Sequence, residues 1–244
     1  MSGISKRGSP PIRIAHAHGN RRDKIESALE APVDLIEADL WYRDGDIWVR
    51  HDRRLPLIPL IFGRRPKNDD LGPLALPLSR WYLRPDVNPI RLEELVKMVG
   101  GRRGLLLDLK GQYNAADGRR FAERIVDISK REGVEATVRL CGQVWRLLDL
   151  AAAMAPGMKI HYTIEYVPQW QAFLRRLGEG DRINRICLHR RLLDEERARL
   201  LQERGIEVFC WDVDDKPEAE RLLALGVDGI ISDDLSLLAD LPSR

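Results

Sequence analysis

Along most of the chain, short runs of β-branched and leucine-rich residues alternate with longer stretches whose apolar positions recur every three to four residues. The first pattern suits a buried strand and the second an amphipathic helix. Read this way, residues 12–16, 33–40, 104–110, 136–141, 158–163, 184–189, 206–211 and 229–232 predict strands, and 117–132, 143–155, 167–177, 194–204 and 216–225 predict helices. Gly133, Pro156 with Gly157, Gly205 and Gly226 stand where four of those helices should stop, as helix-ending residues do. Eight strands with helices between them make an α/β chain whose simplest closed form is a (β/α)8 TIM barrel.

Two segments break the rhythm. Residues 44–52 read as a hairpin, because D-G-D follows one strand and I-W-V-R-H-D alternates as another. Residues 53–88 are rich in Pro, Leu and Arg and hold no steady period. An aperiodic stretch of that length is normally functional or disordered, and its P-L-I-P-L-I-F is too apolar to be left in water. The expectation is one barrel domain over 1–244, with a small insertion at about 53–88 that folds over the barrel mouth or packs on a partner.

Composition narrows the class without naming it. Forty basic residues nearly balance 38 acidic ones, for a net charge of +2, so no global field points to nucleic acid. Arginine pairs at 21–22, 53–54, 64–65 and 102–103 are either solvated surface or forks for an anion. Cys141, Cys187 and Cys210 are scattered, each in or at the end of a predicted strand; such cysteines are buried apolar residues of a reducing compartment rather than a disulfide framework or zinc site. The start lacks the apolar core of a signal peptide, and no run approaches a membrane span. A cytoplasmic protein with a short floppy start is therefore expected.

The chemistry falls at strand ends. His16, Glu37, Asp39, Asp108, His189, Trp211 and Asp233 all lie at or near the carboxyl ends of predicted strands, where barrels carry their reactive groups. Glu37 and Asp39, two apart, share a face, and with Asp108 they form a candidate oxygen site for Mg2+ or Ca2+. Salt-bridged or capping carboxylates are the plainer alternative for each acid alone. Lys110, on the face of Asp108, suits a phosphate oxygen or a neighbouring carboxylate. His16 and His51 are the candidate acid and base. His18, two residues after His16, is a second way to present an imidazole; His161, inside a strand, reads as core, and His189 is left open.

The ordered set I-A-H, I-E-A-D-L, D-G-D-I-W-V-R-H-D, L-L-L-D-L-K, V-F-C-W-D-V-D and G-V-D-G-I-I-S-D-D resembles the glycerophosphodiester phosphodiesterases over nearly the whole chain outside 53–88. The resemblance implies a TIM-barrel hydrolase, dependent on a divalent cation (Mg2+ or Ca2+), that cleaves a glycerophosphodiester to an alcohol and a phosphomonoester such as glycerol 3-phosphate. It implies His16 and His51 as acid and base, Glu37, Asp39 and Asp108 as metal ligands, and Lys110 and Trp211 as substrate contacts. This chain departs from that family's pattern at Ala17, where an arginine is usual; His18, Arg21 or Arg22 could supply the missing contact. The family's E-N-T is absent, with Asp23 or Glu26 as stand-ins, Asp108 replaces a glutamate, and W-D-V-D replaces W-T-V-N. Two alternatives follow: a lipid phosphodiesterase of lysophospholipase D or sphingomyelinase D type, with transient lipid or membrane contact through 55–82, and a non-catalytic barrel that binds a phosphorylated ligand.

Overall fold

The computed structural model describes residues 10–55, 58–64, 74–85 and 89–242. The expected floppy start falls on 1–9, outside the described residues, as do 56–57, 65–73 and 86–88 of the predicted insertion. The strands are β1 (Ile12–Ala15), β2 (Leu35–Arg43), β3 (Asp46–Val49), β4 (Leu60–Arg64), β5 (Leu76–Leu78), β6 (Trp81–Pro85), β7 (Ile90–Arg91), β8 (Gly104–Leu109), β9 (Val138–Gly142), β10 (Lys159–Ile164), β11 (Arg185–His189), β12 (Glu207–Trp211) and β13 (Gly229–Ser232). The helices are α1 (Arg22–Glu30), α2 (Leu92–Val99), α3 (Ala115–Arg131), α4 (Trp145–Met154), α5 (Val167–Gly178), α6 (Glu195–Glu203), α7 (Lys216–Ala224) and α8 (Leu235–Asp240).

Eight parallel strands close into a barrel: β1 pairs with both β2 and β13, and the remaining neighbours run β13-β12-β11-β10-β9-β8-β2. Both sides of its wall are apolar. Outside, the helices lay their buried residues on the sheet, as Phe121, Ile125 and Ile128 of α3 do. Inside, Ile12, Ile14, Leu35, Leu106, Cys141, Cys187, Phe209 and Ile231 fill the lumen, which is a packed core rather than a channel. All three cysteines are free and buried.

The predicted helix 194–204 begins one residue early because its cap looks helical in sequence, whereas 216–225 begins where α7 does. Asp194 and Asp215 are N-caps whose side chains accept from the N–H of Arg197 and Glu218, satisfying donors that the first turn leaves unpaired. The hairpin is present, with β3 antiparallel to β2 and β7 on its far edge. The segment read as aperiodic contains a separate antiparallel sheet in the order β4-β6-β5. Among the described residues no helix is long and apolar enough to cross a membrane.

Candidate active site

Strand alternation builds the site. Residues two apart on a strand share a face, so a strand that sends an apolar side chain into the lumen presents its next inward group at the mouth. Ile14 is followed by His16, Leu35 by Glu37 and then Asp39, Leu106 by Asp108, Cys187 by His189, Phe209 by Trp211 and Ile231 by Asp233. The β2–β8 register then sets Asp39 directly beside Asp108.

Glu37, Asp39 and Asp108 each offer a carboxylate oxygen within 4.8 Å of the others. Glu37 and Asp39 are buried, and Asp108 Oδ1 is buried with no hydrogen-bond partner. An orphaned carboxylate oxygen beside two buried acids suits a hard cation. The aspartate at 108 therefore reaches the cluster despite its shorter side chain. Lys110 Nζ lies 2.8 Å from Asp39 Oδ1 and also bonds Asp108. Burial disfavours charge on that lysine, but Asp108, Asp39 and Glu37 together hold it protonated far beyond its usual range. Burial, reinforced by Asp39, pushes Glu37 up to about 8. Asp39 moves the other way: burial is outweighed by Lys110 and His51, which keep it ionised.

The two imidazoles have matching supports. His16 Nδ1 lies 3.1 Å from Asp233 Oδ1, and His51 Nδ1 lies 3.0 Å from Asp52 Oδ1. A carboxylate at Nδ1 fixes the ring and leaves Nε2 to act. His16 is raised to about 9, with burial opposing the shift and Asp233 and Glu37 driving it. His51 is raised to about 9 by its bond to Asp52, aided by Asp39. Asp52 is in turn held by the small sheet: the Tyr82 hydroxyl donates to its Oδ2, and a Cβ at Gly63, the residue paired with Tyr82, would overlap its carboxylate.

The other sequence candidates divide. Trp211 stands at the mouth, edge-on to His189 at 4.7 Å, and its Nε1 is buried without a partner, leaving an N–H for a ligand oxygen. His18 is buried, with Nδ1 against the carbonyl of His16 at 2.8 Å; the structure ties it to the turn rather than bringing it into the carboxylate cluster. His189 is also buried, and its Nδ1 accepts from Arg191 N–H. His161 is fully buried and stacked on Phe209, as expected of a core residue. Arg21 bonds Asp23, and Arg22 bonds Glu94. Both arginines line a cavity of about 200 Å3 with Asn20, Arg50, Ile61 and Arg84. Asp23 and Glu26 are exposed on α1, and neither belongs to the acidic cluster.

The residue that does reach the cluster from this segment is Asn20, which the sequence reading passed over. Its amide donates to Asp39 Oδ2 at 2.6 Å and accepts from Asp39 N–H at 2.9 Å. The only signal was its place straight after H-A-H-G. Ala17, in the left-handed region at φ 54°, donates its N–H to Glu37 Oε2 at 2.6 Å. The short 3-10 turn His18–Asn20 rests on β2 because Gly19 has no side chain: a Cβ there would overlap Ala38 and lie 2.8 Å from the carbonyl oxygen of Glu37. Gly19→Ala is expected to push the turn off β2, lowering the thermal midpoint by several degrees, as about 1–3 kcal/mol of overpacking would. Calorimetry would show an unchanged midpoint if the contact were slack.

Comparison with known proteins places this geometry. The glycerophosphoryl diester phosphodiesterase family model matches residues 22–237. The chain is 28% identical over 258 residues to glycerophosphodiester phosphodiesterase GDPD4 of Arabidopsis thaliana, covering 95% of this chain and 73% of that protein. Among solved structures it is similar to a glycerophosphodiester phosphodiesterase from Parabacteroides distasonis, with a TM-score of 0.69, 20% identity and coverage of 95% and 96% of the two chains. It is also similar to an Oleispira antarctica phosphodiesterase in complex with the product sn-glycerol-3-phosphate, with a TM-score of 0.67, 19% identity and coverage of 92% and 93%. The family match spans most of the chain and runs through a barrel with two carboxylate-backed imidazoles at its mouth; the chain is a member of the glycerophosphoryl diester phosphodiesterase family.

Proposed function

We propose that this barrel hydrolyses a glycerophosphodiester to an alcohol and glycerol 3-phosphate, using His16 and His51 as the acid–base pair and a divalent cation, Mg2+ or Ca2+, held by Glu37, Asp39 and Asp108. The observation that carries the reading is the pairing of two imidazoles, each backed at Nδ1 by a carboxylate, beside three converging carboxylates. The product bound to the Oleispira antarctica relative is the compound this reaction would release. When bound, the cation would polarise a phosphoryl oxygen.

The chain's own residues supply the rest. One imidazole Nε2 takes the proton of the attacking hydroxyl as the new P–O bond forms. The other gives its proton to the alkoxide as the old P–O bond breaks. Where the attacking hydroxyl is the glycerol's own, the product is a cyclic phosphate that water then opens by the same exchange with the two imidazoles' roles reversed, so each step removes one proton and delivers one. Lys110 sets a positive charge beside the carboxylates, and the Trp211 N–H offers a donor to the phosphate or the glycerol. Asn20 and the Ala17 N–H fix the Asp39 and Glu37 carboxylates, so that the ligand oxygens are already placed. Glycerophosphocholine with Mg2+ or Ca2+ is expected to give glycerol 3-phosphate, measured by a coupled assay. Turnover of lysophosphatidylcholine alone would shift the reading to a lipid phosphodiesterase, and no turnover of either would leave a ligand-binding barrel.

A further inference from the structure

The sheet β4-β6-β5 has two unlike faces. Cross-strand partners share a face, and faces alternate along each strand. The register Gly63, Tyr82, Pro77 therefore marks one side, on which Ile61 and Tyr82 are 3% and 5% exposed. This is the side that touches Asp52. The registers Phe62, Leu83, Leu76 and Trp81, Leu78 mark the other. There Phe62, Leu76, Leu78 and Trp81 are 40%, 59%, 44% and 41% exposed, and the rings of Phe62 and Trp81 stack at 5.2 Å. Ile58 and Leu74, also exposed, adjoin the strand ends. Single exposed apolar residues are commonplace, whereas a contiguous apolar face of this kind marks a binding surface.

Charge selects the occupant. Residues 53–88 carry seven Lys and Arg against three Asp. Among the described residues of that segment there are arginines and no acid; Arg53 and Arg80 are exposed. A second copy seated on this face would bring two basic rims together. An anionic surface with an apolar interior matches both features, and Trp with Arg is the pair that settles at such a boundary. We propose that the outer face of this sheet docks on an anionic lipid bilayer, with Phe62, Leu76, Leu78 and Trp81 in the interfacial layer and Arg53 and Arg80 against the headgroups. The inference concerns binding and does not rest on the proposed reaction.

The test is flotation of the full chain with phosphatidylcholine vesicles, with and without phosphatidylglycerol. Wild type is expected to float with the anionic vesicles roughly tenfold more than with the neutral ones and to be released by high salt, because the basic rim is screened. Leu76→Glu/Leu78→Glu is expected to lose flotation roughly tenfold while keeping its circular dichroism, its thermal midpoint and its turnover of a water-soluble diester. Phe62→Ser/Trp81→Ser serves as the second variant if the first does not fold. Three results would overturn the proposal: no flotation of wild type on anionic vesicles; undiminished flotation of a folded variant; or a wild-type dimer in sedimentation equilibrium that the variants dissolve, which would assign the face to a second copy.

Discussion

His16→Ala and His51→Ala are each expected to lower kcat by about 10²- to 10⁴-fold with little change in KM, the usual consequence of removing a positioned acid or base. The double variant should be scarcely worse than the weaker single, because proton removal and proton delivery belong to one displacement and cannot be lost twice. Tyr82→Phe leaves both imidazoles in place but takes a hydrogen bond from the Asp52 carboxylate. A bond to a charged group is worth about 1.5–3 kcal/mol to the folded state; with only part of that felt at His51 in the transition state, kcat should fall by about an order of magnitude and remain well above that of His51→Ala. Steady-state kinetics on a glycerophosphodiester would decide. Full activity in either histidine variant would remove that residue from the mechanism.

The second large effect concerns the cation. Dialysis against EDTA is expected to abolish turnover, Mg2+ or Ca2+ to restore it, and Asp39→Asn or Asp108→Asn to prevent the rescue. The same cluster sets stability. Glu37 at about 8, and His16 and His51 at about 9, all bind protons more tightly in the folded chain than at their ordinary values of 4.5 and 6.5. Where the native state holds the extra protons, stability declines with rising pH. In EDTA the stabilisation from these groups is complete below about pH 4.5 for Glu37 and 6.5 for the imidazoles, and it is lost as pH climbs through about 8 and 9. The melting temperature in EDTA should therefore drop between neutral pH and pH 9. A cation that binds only the native state restores about 2.7 kcal/mol at a hundredfold excess over its dissociation constant. Scanning calorimetry with and without metal would expose the error if the two curves coincided.

The barrel was legible in the sequence because its strands are β-branched or leucine-rich runs whose helical connections end at Gly or Pro. Residues 229–232 match β13 at both ends, and the other barrel strands shift by a few residues. The misses have physical causes. Helix α1 buries only Ile25 and Ala28, too little to print a helical stripe. The sheet β4-β6-β5 was unreadable because its outer face is apolar where a solvated face would be polar, so F-G-R, L-P-L and W-Y-L-R-P show no clean alternation. The site followed the same division. His16, Glu37, Asp39, Asp108, Trp211 and Asp233 are candidates from their places at predicted strand ends, with the two-residue spacing pairing Glu37 with Asp39. Asn20 on Asp39, Asp233 on His16 and Tyr82 on Asp52 are contacts between distant parts of the chain, and no spacing announces them.

The interleaving of lumen packing with mouth chemistry has one more consequence. Because Leu35, Glu37 and Asp39 ride on one strand, as Leu106 and Asp108 do on the next, the three carboxylates are anchored in the rigid barrel wall, while the loops that carry none of the acid–base groups are left free to vary. A library randomised in the βα loops outside His16–Asn20, Lys110 and Asp233 should therefore yield altered alcohol preference with the cation centre intact. A library randomised at Leu35 and Leu106 should yield misfolded or metal-blind proteins.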